Sequence, residues 1–106
     1  MTLSILARAK VDRFGMIKDR VIAVLKHSGI RLPQLEALTG INRYTWSNLK
    51  NPAKEREIKE AEIEAIVKLY PNYALWIVSG TIAPECGQTS PEYDEAHSNL
   101  PNQSAG

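Results

Sequence analysis

Apolar residues recur at spacings of three and four near the start of the chain, at Val11, Phe14, Ile17, Val21 and Leu25. The positions between them are mostly charged: Asp12, Arg13, Lys18, Asp19, Arg20 and Lys26. This spacing is that of an amphipathic α-helix with its apolar face on a core and its charged face in solvent. Gly29 follows, and a glycine there can adopt the left-handed conformation that ends a helix.

Two shorter helices are predicted within residues 32–49, which read LPQLEALTGINRYTWSNL. Leu35 and Leu38 point inward from the first. Gly40 can end it in the left-handed conformation, and Asn42 can accept a backbone N–H at the start of the second. The apolar face of the second helix carries Trp46 and Leu49, with Ile41 where the helix begins. Two short helices that meet at a glycine turn are typical of a helix-turn-helix.

Helical periodicity returns over residues 57–70 and stops at Pro71. Its inward positions are Ile63, Ile66, Val67 and Tyr70, and its outward positions are Glu60, Glu62, Glu64 and Lys68. A last short helix is predicted over residues 73–79, closed by Gly80. It is apolar almost all round, so we expect it to be buried on more than one side, against the core and against a second surface.

The composition changes after Gly80. Residues 81–106 are rich in Pro, Ser, Gln, Asn and acidic residues and contain no Lys or Arg. Such a segment buries too little apolar surface to offset its ordering entropy, which predicts a disordered acidic tail. The expected architecture is all-α: one helix-turn-helix domain over residues 1–80, with four to five short helices around one core.

The net charge of +1 conceals an uneven distribution. Residues 1–56 hold eleven Lys or Arg against four acidic residues, whereas residues 57–106 hold two Lys against eight. The basic half contains the helix-turn-helix, as expected of a protein that binds nucleic acid through its phosphates.

The polar face of the second helix of the motif can read bases. Arg43 suits a bidentate contact with guanine and Asn48 one with adenine, while Tyr44 and Ser47 can bond base edges or phosphates. Residues flanking this face are expected at phosphates: Arg31, Gln34, Asn42, Lys50, Asn51, Lys54 and Arg56.

These positions resemble a known class. Leu35, the pair Gly40-Ile41, Trp46 and Leu49 match the apolar and glycine positions of the helix-turn-helix in phage repressor and Cro proteins, the lambda-repressor-like domains. The resemblance covers about residues 14–80, and YPNYALWIVSG is similar to the closing helix of short regulators encoded by prophages. The chain differs from the class at Glu36, where alanine is common, and at Leu32, where a glutamine often contacts phosphate.

The resemblance implies a five-helix domain that binds an operator in double-stranded DNA as a homodimer and regulates transcription, with repression expected. It places Asn42, Arg43, Tyr44, Ser47 and Asn48 at the DNA-facing positions. The dimer contact is expected on the apolar last helix, through Trp76 and Ile77. Two-fold pairing would require a pseudo-palindromic operator.

A different class of function remains open: a protein-interaction module, such as an antitoxin, whose last helix or acidic tail binds a protein partner. Catalysis and a metal or cofactor are not expected, because His27 and His97 lack further ligands at metal spacing and no phosphate-binding loop is present. Cys86 is the only cysteine, and the apolar runs are too short to cross a bilayer. These features predict a cytoplasmic protein without membrane contact.

Overall fold

The computed structural model describes residues 16–98, which fold as an all-α bundle, as predicted. The helices of this range are α1 (Ile17–Ser28), α2 (Leu32–Thr39), α3 (Arg43–Lys50), α4 (Glu60–Leu69), α5 (Ala74–Ser79) and α6 (Pro91–Ser98), with 3-10 turns at Pro71–Tyr73 and Pro84–Cys86. Extended pairing among these residues is limited to one antiparallel bridge between Ala83 and Gln88. The predicted helical positions Val11 and Phe14 lie outside the described residues.

Five of the six helices and the 3-10 turn at Pro71–Tyr73 supply the core, whose buried side chains are Val21, Val24, Leu25, Leu35, Trp46, Leu49, Ile66, Tyr73 and Ile77. Helix α1 ends at Gly29, which has a φ of 68° and donates its N–H to Leu25 O at 3.1 Å. The predicted end of this helix is therefore confirmed, as is its predicted apolar face at Ile17, Val21 and Leu25. Leu38 was expected to point inward from α2 but is 56% exposed, because it lies at the open edge of the bundle beside Ile41 and Leu69.

Arg20 differs from the predicted pattern. It was expected on the charged face of α1, yet its side chain is buried, and Nε donates to Ile77 O at 2.9 Å. Ile77 lies in the last turn of α5, where carbonyl groups lack partners within the helix. Arg20 thus joins α1 to the end of α5, a role that periodicity alone does not indicate.

Helix α4 begins at Glu60, three residues later than predicted, and buries Ile66 as expected. Glu62 was predicted to face solvent but is 2% exposed. Its Oε1 accepts the Lys59 N–H at 2.8 Å, and its two oxygens pair with Arg56 at 2.7 and 3.1 Å. The carboxylate is buried because it caps its own helix and is neutralised by one arginine.

The 3-10 turn leads into α5, which ends at Gly80 as predicted. Ile77 is fully buried in the core of its own chain, so the prediction that it forms a dimer contact is wrong. Trp76 is half-buried against the same core. The exposed apolar side chains of this helix are Leu75 and Val78, which are 36% and 55% exposed.

Residues 81–98 are folded, so the prediction of a disordered tail is wrong for them. The Gln88 side chain accepts the Leu75 N–H at 2.9 Å and donates to Pro71 O at 3.0 Å, which ties the segment to the start of α5. Ser90 Oγ then accepts the Tyr93 N–H at 3.0 Å and caps α6. These are specific polar contacts that composition does not reveal.

Helix α6 packs against α1 and the turn before α5. Tyr73 donates its hydroxyl to Asp94 Oδ2 at 2.6 Å, and His27 Nδ1 lies 3.4 Å from Glu95 Oε2. In the alternative function, a protein partner was expected to bind the apolar helix α5 or the acidic segment. Much of α5 and part of that segment instead contact the rest of this chain. No helix of residues 16–98 has the length and apolar character needed to span a membrane.

Candidate nucleic-acid interface

Helices α2 and α3 meet through the turn at residues 40–42, where the sequence predicts a helix-turn-helix. Gly40 has a φ of 77° and donates its N–H to Glu36 O at 2.8 Å. Asn42 Oδ1 accepts the Tyr44 N–H at 2.7 Å and so caps α3. The predicted end of α2 and the predicted cap of α3 are both confirmed.

Thr39 fixes the turn, a role that was not predicted from the sequence. Its hydroxyl donates to Leu35 O at 2.7 Å and accepts from the Ile41 N–H at 3.2 Å and from Trp46 Nε1 at 3.3 Å. A threonine hydroxyl offers one donor and two acceptor sites, and all three are used here. The contact with Trp46 links the end of α2 directly to the middle of α3.

Helix α3 has two distinct faces. Trp46 and Leu49 are fully buried, which anchors the helix to the core. The opposite side, called here the reading face, carries Arg43, Tyr44, Ser47 and Asn48. Tyr44 is 71% exposed, and Ser47 and Asn48 are exposed as well. The three side chains lie side by side because Ser47 and Asn48 follow Tyr44 at helical spacings of three and four.

Arg43 belongs to this face but is not free of protein contacts. Its Nε donates to Glu36 Oε1 at 2.6 Å, an ion pair between α3 and α2 in which the two side chains remain 43% and 33% exposed. The described contact of the guanidinium is through Nε alone, so the two terminal nitrogens remain as donors.

Most residues predicted at phosphates lie at the surface of the protein. Arg31, Gln34 and Lys54 are exposed, and Lys50 is half-buried at the end of α3. Asn42 and Asn51 are exposed and use Oδ1 to accept backbone N–H groups, Asn51 from Ala53 at 2.9 Å. Their amide N–H groups are left to donate to an anion.

Arg56 does not fit the phosphate prediction. Its guanidinium binds both oxygens of the buried Glu62, as well as Thr45 O at 3.0 Å and Glu57 O at 2.8 Å. These contacts occupy both terminal nitrogens of Arg56. Through Thr45 O on α3 and Glu62 on α4, they connect α3 to the start of α4. The remaining predicted phosphate-binding cations are therefore the exposed Arg31 and Lys54 and the half-buried Lys50, fewer than the sequence suggested.

No protein-family model and no curated protein matches the chain. Among solved structures, it is similar to Pf6r from the filamentous phage Pf6 of Pseudomonas aeruginosa PA01, with 30% sequence identity and a TM-score of 0.71. The match covers 80% of this chain and 96% of that chain. The chain belongs to the Pf6r family.

Membership of the Pf6r family relates the fold to that of a filamentous-phage protein. The more specific resemblance to lambda-repressor-like domains remains a prediction. In chemical terms, the site offers a rigidly anchored helix, a row of exposed hydrogen-bonding side chains and cations at its margins. This combination suits an extended anionic ligand that presents a row of hydrogen-bond donors and acceptors.

Proposed function

We propose that this protein is a sequence-specific double-stranded DNA-binding regulator of transcription that acts as a homodimer on a pseudo-palindromic operator. The observation that carries the proposal is the division of α3 into a buried face and an exposed reading face, next to a glycine turn of the kind found in a helix-turn-helix. In this motif the second helix lies in the major groove, where each base pair presents a distinct pattern of donors and acceptors.

The side chains of the reading face have complementary roles in this proposal. Arg43 donates to guanine, and Asn48 makes a paired donor and acceptor contact with adenine. Tyr44 is large and exposed, so its ring can contact a thymine methyl while its hydroxyl bonds a phosphate. Ser47 bonds a base edge or a phosphate. The buried Trp46 and Leu49 keep these groups at a fixed distance from the groove.

Phosphate contacts come from the margins of the site. Arg31, Lys50 and Lys54 supply charge, while Gln34, Asn42 and Asn51 supply neutral donors. If each cation neutralises one phosphate, a dimer binds with a slope of roughly −5 in a plot of log affinity against log salt.

The dimer is proposed to form through exposed apolar residues of α5. Because Ile77 is buried, the proposed contact uses other residues of this helix. Leu75 and Val78 are exposed on that helix, beside the half-buried Trp76. Two-fold pairing would set the two copies of α3 about 34 Å apart, one turn of DNA. In keeping with a relative from a filamentous phage, we propose a cytoplasmic, non-enzymatic regulator of phage type, with repression as the expected effect.

Alanine substitutions at two basic residues test the proposal. Arg43→Ala should weaken binding to the operator by about 1–3 kcal/mol and relax the preference at one base pair, because it removes a base contact. Lys54→Ala is the matched control: it also removes one positive charge, but it should weaken binding to all sequences alike and reduce the salt slope. Fluorescence anisotropy with operator and scrambled duplexes measures both effects. An unchanged operator affinity in Arg43→Ala would contradict the assignment of the reading face.

A further inference from the structure

An ion pair lies at the reading face and joins the two helices of the motif. Arg43 Nε donates to Glu36 Oε1 at 2.6 Å, with both side chains partly exposed. The same guanidinium is the group proposed to contact guanine. Glu36 therefore touches a base-reading side chain directly.

The position of the contact leaves part of the guanidinium available. Arginine carries five N–H donors in a planar fork, and Glu36 occupies the one nearest the backbone. The two terminal nitrogens remain, and a bidentate contact with guanine O6 and N7 needs two such donors. A side chain that is already oriented loses less rotamer freedom on binding. Glu36 thus holds Arg43 ready for one base before DNA arrives.

The charge of Glu36 has a second effect. A carboxylate at 2.6 Å from Arg43 Nε offsets the positive charge that a distant phosphate experiences. Binding to DNA of any sequence depends on cations that neutralise phosphates, so a paired Arg43 contributes little to it. The same contact that orients Arg43 for a base therefore reduces binding to unrelated DNA.

We propose that Glu36 sets the sequence specificity of the motif: it positions Arg43 for guanine and suppresses binding to DNA that lacks this base at the matching position. The inference rests on the proposed function of DNA binding. Glu36 is a positioning residue, since it acts through Arg43 and not by contact with the base.

Glu36→Gln tests the inference because it keeps the size of the side chain and removes its charge. We expect the ratio of affinities for the operator and an unrelated duplex to fall about fivefold or more, the lower end of what one bidentate base contact contributes. Affinity for the unrelated duplex should rise. Its salt slope should steepen by up to about 0.9 per subunit, because the charge of Arg43 is no longer offset and can neutralise a phosphate.

Glu64→Gln is the matched control. Glu64 also pairs with a cation, Lys68 at 3.3 Å, but this pair lies on the exposed surface of α4. Its loss removes the same charge from a carboxylate that does not touch the reading face, so the ratio of affinities should stay at the wild-type value. Circular dichroism of both variants confirms that the fold is kept.

A second measurement separates positioning from a general effect of charge. In an Arg43→Ala background, Glu36→Gln should cause no further loss of preference at the base pair, because no guanidinium is left to orient. An equal loss in both backgrounds, or a wild-type ratio in Glu36→Gln alone, would overturn the inference and leave the proposed function standing. If the wild-type protein does not discriminate between duplexes at all, the proposed function fails and this inference fails with it.

Discussion

A buried ion pair connects α4 to α3, the helix that carries the reading face. Arg56 binds both oxygens of Glu62 and, through one of the same nitrogens, Thr45 O on α3. One arginine therefore ties the start of α4 to the middle of the helix that carries the reading face. Removal of either partner leaves the other charge in a poorly solvated place, which is the costly way to break such a pair.

Two glutamates of α4 allow this cost to be measured. Glu62→Ala should lower the free energy of unfolding by about 2–4 kcal/mol, because Arg56 is only 24% exposed and would lose its counter-ion. Glu64→Ala should change it by less than about 0.5 kcal/mol, since an exposed pair contributes little. Urea denaturation followed by circular dichroism measures both. Equal effects at the two positions would show that burial of Glu62 is not what stabilises this contact.

Long polar side chains also mark the limit of what the sequence predicts. Trp46 and Leu49 were assigned to the core from helical spacing, and Asn42 to the cap of α3 from its chemistry; both assignments are confirmed because such preferences are local. Arg20 and Glu62 were misplaced, because each is buried by a specific polar partner: Ile77 O, 57 residues away, for Arg20, and the Arg56 guanidinium for Glu62. Periodicity reports the average environment of a residue type and does not identify such partners.

Helix α6 is a whole element that could not be predicted from the sequence. Composition predicted disorder after Gly80, yet residues 81–98 fold back through a few directed contacts. Ser90 caps the helix, and Tyr73 holds it through Asp94. The apolar surface that α6 covers belongs to other helices, so its own composition gives little sign that it docks.

The contact between Tyr73 and Asp94 predicts a dependence of stability on pH. Burial, followed by the hydrogen bond to Asp94, raises the pKa of the Tyr73 hydroxyl from 10.0 to about 12. Between these values the unfolded chain loses this proton while the folded chain keeps it, so stability falls as pH rises. The contribution is fully present below pH 10 and is lost by about pH 12, an effect of about 3 kcal/mol.

Tyr73→Phe isolates this effect from other groups that titrate in alkali. The variant should be less stable than the wild type near neutral pH, and the difference should shrink between pH 10 and 12. Tyr44→Phe, at an exposed side chain, is the control and should follow the wild-type profile. Urea denaturation at several pH values gives the curves. A constant difference between Tyr73→Phe and wild type over this window would contradict the proposed role of the hydroxyl.

Ion pairs within the chain reduce the number of cations that can neutralise DNA phosphates. Of the cations near the reading face, Arg43 is paired with Glu36 and Arg56 with Glu62, so fewer remain for phosphates than the basic half of the sequence indicated. Binding to unrelated DNA should therefore be modest. The proposed regulator would depend on base contacts, and on the avidity of two subunits, for its affinity.

Selection of bound duplexes from a random DNA pool is the most direct test of sequence-specific DNA binding. We expect the wild-type protein to enrich a pseudo-palindrome whose half-sites have centres about one helical turn, 34 Å, apart. Each half-site should contain a guanine whose enrichment is lost with Arg43→Ala. Recovery of no common sequence from the pool, at a salt concentration where the folded protein is stable, would contradict sequence-specific DNA binding.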